Sequence, residues 1–153
     1  MTKGWKFEGA RHSLARKGIK TVPRALKAQD YIEITAPFGK QAIADHLQVE
    51  TKVLVPSTLH DKEISAKEFA ARAKETEDFL SRIFGGYTAV EAKGGWVEKG
   101  KVIAEPVIEV VSFTKAKDYF ANRQKLLTFL KAKKKEWKQN AVSVEIEGDL
   151  FLI

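Results

Sequence analysis

The chain has 153 residues, of which 44% are hydrophobic and 31% are charged, a balance typical of a single soluble globular domain. It contains no cysteine, which excludes disulfide bonds and thiolate metal sites. The apolar runs are too short to span a bilayer, and charged residues near the start exclude a signal peptide. We therefore expect a cytoplasmic protein with no membrane segment.

The net charge of +7 is concentrated in residues 1–28, which hold eight basic residues and one acid, Glu8. The rest of the chain is neutral. This asymmetry is typical of an arm that binds a polyanion, with phosphate contacts from basic side chains and base stacking by Trp5. The alternative is a basic segment that packs on the domain through Trp5 and Phe7. The residues predicted to bind nucleic acid are Lys3, Trp5, Lys6, Arg11, His12, Arg16, Lys17, Lys20, Arg24 and Lys27.

Residues 29–48 are predicted to connect this arm to the main domain. Residues 31–35 alternate in polarity like a short strand. Pro37 suits the start of a helix that runs from about Phe38 to Leu47. We interpret the stretch as a small strand and helix unit.

The main domain is predicted to cover residues 49–153 and to begin with a strand at Val49–Val55. Ser65 has the character of a helix N-cap, with Glu68 three residues later to complete a capping box. Apolar residues follow at helical spacing, and the Gly85–Gly86 pair is predicted to end this helix.

A β-hairpin is predicted next, with strands at about Thr88–Trp96 and Lys101–Phe113. A second long helix is predicted over about Lys115–Lys138, with Thr114 as its cap. Its lysine run lies near the C-terminal end, where cations suit the helix dipole, so we interpret the run as a solvated face. The last predicted strand is Ala141–Glu147, in which apolar and polar residues alternate.

The element order βαββαβ predicts an α+β fold of the ferredoxin-like type. Right-handed crossovers place both helices on one face of a four-stranded antiparallel sheet, and residues 150–153 are expected to form an apolar tail. The opposite face of the sheet is left open to solvent, a ligand, a protein partner or a second copy of the chain. The predicted core residues are Phe69, Leu80, Ile83, Leu127, Leu130 and Val144.

Several motifs of the main domain occur together: Val55-Pro56-Ser57-Thr58, Phe84-Gly85-Gly86 followed by Thr88, Gly94-Gly95-Trp96, Glu105, and Gln139 before Ala141-Val142. This combination resembles a group of small proteins from archaeal and bacterial genomes, plasmids and viruses, over residues 49–153. The arm, with Arg11-His12-Ser13-Leu14-Ala15, is similar to the N-termini of other small archaeal proteins. The resemblance implies the same domain boundaries and a mobile-element setting, and the group has no established activity to carry over.

The loop Ser57–Asp61 holds two hydroxyls, a histidine and a carboxylate, which are the residue types of a nucleophile, a base and an orienting acid. Neighbours in sequence do not by themselves build a triad, so we interpret the stretch as a polar loop and predict no catalytic residue. Ser57 and Thr58, with Trp96 and Glu105, define a candidate pocket.

Trp96 has two interpretations, a base-stacking platform on the open sheet face or a buried core residue. The aromatic pattern of RNA-recognition modules is absent, which favours the core. Glu105 and Glu109 share one face of a strand and suit acid–base work, although an exposed strand face explains them more simply. The three histidines lack metal-ligand spacing, so no metal or cofactor is predicted.

The sequence therefore favours a non-enzymatic accessory protein that binds nucleic acid through its basic arm. A first alternative is an interaction or structural protein of a virus or mobile element. A second alternative is a small enzyme that uses the loop Ser57–Asp61 and Glu105.

We predict that residues 49–153 fold without the arm, because all four predicted strands and both long helices lie there. A fragment that starts near Gln48 should unfold in urea in one cooperative transition, followed by circular dichroism. A non-cooperative product would show that residues 30–48 belong to the core.

Overall fold

A computed structural model of the chain describes residues 47–60 and 62–153. The predicted arm and nearly all of the predicted connecting unit lie outside the described residues. Residues Leu47–Ile153 form one compact unit. Its elements in chain order are β1 (Val49–Pro56), β2 (Thr58–Leu59), β3 (Lys62–Glu63), α1 (Ala66–Phe84), β4 (Thr88–Glu98), β5 (Lys101–Thr114), α2 (Ala116–Glu136), β6 (Ser143–Ile146) and β7 (Asp149–Leu152).

Five of these strands form one antiparallel sheet in the order β4-β5-β1-β6-β7, while β2 and β3 form a separate small hairpin. The predicted α+β class, with two helices and an antiparallel sheet, is confirmed. The prediction of a four-stranded ferredoxin-like sheet is wrong, because the residues interpreted as an apolar tail form a fifth strand, β7.

The fifth strand exists because the chain reverses at Glu147 and Gly148. Their φ angles of 53° and 88° suit a two-residue hairpin turn of type I′. The Glu147 amide donates to the Glu50 carbonyl at 3.1 Å, and the Glu50 amide donates to Oε1 of Glu147 at 2.6 Å. These bonds fix the turn to β1, so the apolar residues after it pair with β6.

β1 is the central strand of the sheet. Val53 lies opposite Val110 of β5 on one side and Val144 of β6 on the other, and all three side chains are buried. β5 is longer than β1, so the first half of β5 pairs only with β4. Pro106 stands just where pairing to β1 ends, at Val107, and the open edge there suits a residue without an amide hydrogen.

Both ends of α1 follow their sequence signals. The Ser65 Oγ accepts a hydrogen bond from the Glu68 amide at 3.1 Å, as an N-cap should. At the other end Gly85 has φ 97° and donates its amide to the Ser81 carbonyl at 2.8 Å. The predicted helix bounds are confirmed, although the Glu68 carboxylate pairs with Arg72.

The start of α2 differs from the prediction. Thr114 is the last residue of β5, and Lys115 is the N-cap without a side-chain hydrogen bond to the helix. The helix ends at Glu136. Beyond it, Lys138 has φ 50° and Gln139 donates its amide to the Lys134 carbonyl at 3.0 Å, which is a Schellman termination.

The core lies between the helices and one face of the sheet. The predicted core residues Leu80, Leu130 and Val144 are buried, and Ile83 packs against them. The predictions for Phe69 and Leu127 are wrong, since both are only half-buried. The residues of α2 and its C-cap that are buried are Leu126, Leu130, Lys133 and Trp137.

This buried face of α2 includes a lysine. Lys133 is 6% exposed, and its ammonium binds the carboxylates of Glu75 on α1 and Glu136. Burial acts to lower the pKa of Lys133, but the hydrogen bonds and attraction of the two carboxylates outweigh it and raise the pKa. Stacking of Phe79 on Phe129, with ring centroids 4.0 Å apart, is a second link between the helices.

We predict that Leu130→Ala lowers the free energy of unfolding by about 2–5 kcal/mol, because it empties a fully packed site. Leu127→Ala removes the same atoms from a half-buried position of the same helix, so it should lower the free energy of unfolding clearly less. Urea unfolding of both variants checks this. Equal losses would contradict the observed rotation of α2.

Candidate functional site

The face of the sheet turned away from the helices carries two of the predicted pocket residues. Val110 of β5 is buried against the helices, so by alternation Glu105 and Val107 lie on the opposite face. Across the hairpin Gly94 pairs with Glu105, and Trp96 pairs with Ile103. Trp96 and Glu105 are therefore diagonal neighbours on this face, within reach of long side chains.

Gly94 lies between these two residues in the pairing and close to Val107. A Cβ at this position would lie 3.3 Å from Cγ1 of Val107, so any larger residue would press on Val107. Trp96 is 40% exposed, which corrects the expectation of a buried tryptophan. We call Gly94, Trp96, Glu105 and Val107 the Glu105 cluster, because strand pairing and alternation place them together on one face.

The carboxylate of Glu105 differs from its neighbour on the same strand face. Glu109 lies 3.9 Å from the Lys52 ammonium, which also donates to Glu145 at 3.2 Å. Burial acts to lower the pKa of Lys52, but Glu145 and Glu109 raise it overall. Oε2 of Glu105, by contrast, is buried and has no hydrogen-bond partner among the described residues. Glu109 thus has a cationic neighbour, whereas the described residues offer no hydrogen-bond donor to Oε2 of Glu105.

Ser57 and Thr58 belong to a different neighbourhood, around the guanidinium of Arg72. Arg72 is 5% exposed and donates to the carbonyls of Pro56 at 3.2 Å and Thr58 at 2.8 Å. Its guanidinium carbon lies 5.5 Å from the centre of the Trp137 ring. Thus Arg72 joins α1 to the end of β1 and to the end of α2.

The hydroxyls of Ser57 and Thr58 are buried and make no hydrogen bond within the described part of the chain. No hydrogen bond there links them to His60 or to Glu105. The structure therefore supports neither a nucleophile–base pair in this loop nor a joint pocket of all four predicted residues. Trp96 and Glu105 come together, and Ser57 and Thr58 do not join them.

An open cleft of about 560 Å³ lies at the C-terminal end of α2. Sequence analysis interpreted the lysines there as a solvated helix face and missed the cleft, because His60 and Ile153 reach it from distant parts of the chain. The residues that line it are His60, Lys131, Lys134, Lys135, Lys138, Gln139, Asn140 and Ile153.

The predicted nucleic-acid-binding residues, from Lys3 to Lys27, lie outside the described residues. Within residues 47–60 and 62–153, no three histidine or acidic side chains stand close enough to hold a metal ion. In the same part of the chain, neither helix is both long enough and apolar enough to cross a membrane.

No family model and no curated protein matches the chain. A solved structure titled as a phage SAM lyase in complex with S-methyl-5'-thioadenosine has a similar fold, with a TM-score of 0.52 and 19% identity over 72% of this chain and 95% of that chain. A second structure, titled as phage SAM lyase in the apo state, gives a TM-score of 0.49 and 16% identity over 72% of this chain and 94% of that chain.

The first likeness shows that the two proteins share a fold. It also overturns the sequence-based interpretation of a non-enzymatic protein that binds nucleic acid, because the solved protein with this fold is an enzyme. That interpretation rested on the charge of the arm alone, which says nothing about the folded domain.

We predict that Arg72→Met destabilises the protein by about 1–3 kcal/mol, because it leaves buried carbonyl groups without a charged donor. Arg82→Met, at an exposed position of the same helix, is the matched control and should change stability by less than about 0.5 kcal/mol. Thermal and urea unfolding measure both. Similar effects of the two substitutions would refute the bridging role of Arg72.

Proposed function

We propose that this protein is an enzyme that cleaves S-adenosylmethionine (SAM), and that the Glu105 cluster is its substrate site. The observation that carries the proposal is the fold shared with a phage SAM lyase, which covers 95% of that chain. Low sequence identity leaves the chemistry to be argued from the residues of this chain.

The chemistry of SAM suits the Glu105 cluster. The substrate has a sulfonium cation, an ammonium group and a flat adenine ring. A carboxylate oxygen without a protein partner attracts the cationic half, and an exposed indole offers a face for adenine or for the sulfonium. Glu105 and Trp96 are therefore the proposed substrate-binding residues, while Ser57 and Thr58 have no proposed contact with substrate.

The products define the bond that breaks. S-methyl-5'-thioadenosine keeps the methyl and adenosyl groups on sulfur, so a SAM lyase breaks the bond between sulfur and the amino-acid chain. The electron pair of that bond moves to sulfur, which becomes a neutral thioether. The carbon that loses sulfur gains electrons either from the substrate's own carboxylate or from a C–H bond whose proton goes to a base. Glu105 can hold the ammonium group in the first route and accept the proton in the second.

A protein partner or a second copy of the chain on the open face stays a prediction from the sequence. The open face does carry exposed apolar side chains, among them Val90 and Phe113, and such patches favour interaction. The cytoplasmic location also stays a prediction.

We predict that the full-length protein converts SAM to S-methyl-5'-thioadenosine, detected by liquid chromatography. Glu105→Gln should lower kcat/KM by about 10²-fold or more, because it removes the charge that faces the substrate. Glu109→Gln, on the same strand face but paired with Lys52, is the matched control and should have a much smaller effect.

Two results would contradict this proposal in different ways. A folded protein that neither binds nor cleaves SAM overturns the function. If the Glu105→Gln variant still cleaves SAM at the original rate, the Glu105 cluster is not the substrate site, but the proposal of SAM cleavage stands. S-adenosylhomocysteine, which lacks the sulfonium charge, should stay intact and should bind more weakly than SAM.

A further inference from the structure

The cleft at the end of α2 is strongly cationic. Lys131, Lys134, Lys135 and Lys138 line it together with His60. In the described part of the chain, none of these four lysines forms a salt bridge with a carboxylate. Among residues 47–60 and 62–153, the cleft therefore gathers four lysines that no salt bridge pairs with a carboxylate.

The solvated-face interpretation explains only part of this arrangement. Lysine in the last turn of a helix interacts favourably with the helix dipole, and Lys133 in the same run is paired with two carboxylates. Lys131 and Lys135 are one turn apart, where like charges repel. Lys138 follows the C-cap of α2, where a cation also suits the dipole. His60 comes from the β2–β3 turn, so the signals of α2 alone do not explain why these residues line one cleft.

Two cleft residues hold a backbone conformation that normally selects glycine. His60 has φ 54° at the β2–β3 turn, and Lys138 has φ 50° just after α2. The turn and the helix termination require this conformation but not these side chains, since glycine adopts it with less strain. A non-glycine residue in a strained conformation often marks a functional position, and here both side chains face one cleft.

The walls of the cleft are fixed by hydrogen bonds. Nε2 of Gln139 donates to the Thr58 carbonyl at 2.8 Å and to the Trp137 carbonyl at 3.1 Å. Arg72 donates to the same Thr58 carbonyl. The turn that carries His60 is thereby joined to the end of α2 that carries Lys138, so the backbone segments that form the cleft are fixed relative to each other.

We propose that this cleft is a binding site for an oligophosphate anion, a diphosphate or triphosphate group. Four lysines match the charge of such a group, and the lysine ammonium is a compact charge that binds phosphate well. The cleft is of small-molecule size. This site shares no residue with the Glu105 cluster and does not depend on the proposed SAM chemistry.

The test is isothermal titration of the full-length protein with sodium tripolyphosphate at low ionic strength. We expect binding that the double variant Lys134→Gln, Lys138→Gln weakens at least about tenfold, since each contact between charged groups contributes substantially. Lys117→Gln removes the same charge from the start of α2 and should leave affinity within about twofold. Orthophosphate should bind more weakly than tripolyphosphate.

Lys138→Gly separates binding from folding. It relieves the strained backbone, so the unfolding temperature should stay the same or rise, while tripolyphosphate affinity falls and SAM cleavage is unchanged. All of these variants keep the basic residues 1–28. Tripolyphosphate binding that none of the cleft substitutions reduces would assign it to other cations and overturn the proposal, as would the absence of any binding.

Discussion

The buried guanidinium of Arg72 is the interaction on which the arrangement of this domain depends. A guanidinium cannot lose its charge in a protein, so its burial requires partners for its donors. The carbonyls of Pro56 and Thr58 supply them, and Trp137 covers the guanidinium group. The end of the central strand, the first helix and the end of the second helix are thus held at one point. The cationic cleft forms beside that point because Gln139 binds the same Thr58 carbonyl.

The parts of the fold that sequence predicts well are those with local signals. The Ser65 cap and the Gly85 termination each depend on a few neighbouring residues, and both were found as predicted. The prediction of which face of α2 is buried was wrong at Leu127, because the pattern did not include Lys133 among the buried residues. A hydrophobic pattern treats a lysine as exposed, but this one is buried between Glu75 and Glu136. The two carboxylates offset the desolvation cost of burying the ammonium. Glu75 lies on α1, so the sequence pattern of α2 alone does not show that it is available.

Long-range pairing accounts for the other differences. The fifth strand requires Glu147 to adopt a positive φ angle and to bind Glu50, which lies 97 positions earlier in the sequence. Trp96 was expected in the core because the aromatic pattern of RNA-recognition modules is absent from the sequence. It is 40% exposed on β4, which is an edge strand of the sheet. Sequence reasoning placed Ser57 and Thr58 with Trp96 and Glu105, but it could not foresee that the Thr58 carbonyl binds Arg72, because that contact depends on the packing of α1 against the end of β1.

The contrast between Glu105 and Glu109 is the strongest physical reason to propose a ligand at the Glu105 cluster. Both residues lie on β5, four positions apart, so their side chains are on the same face of the sheet. Glu109 is near Lys52, whose ammonium also binds Glu145. These ion pairs give Glu109 a role in stabilising the sheet. A buried carboxylate oxygen without a donor, as at Glu105, costs free energy in the unliganded protein. Such groups in native proteins need an explanation outside stability. A cationic ligand, seated over Gly94 and against Trp96, would supply the missing charge.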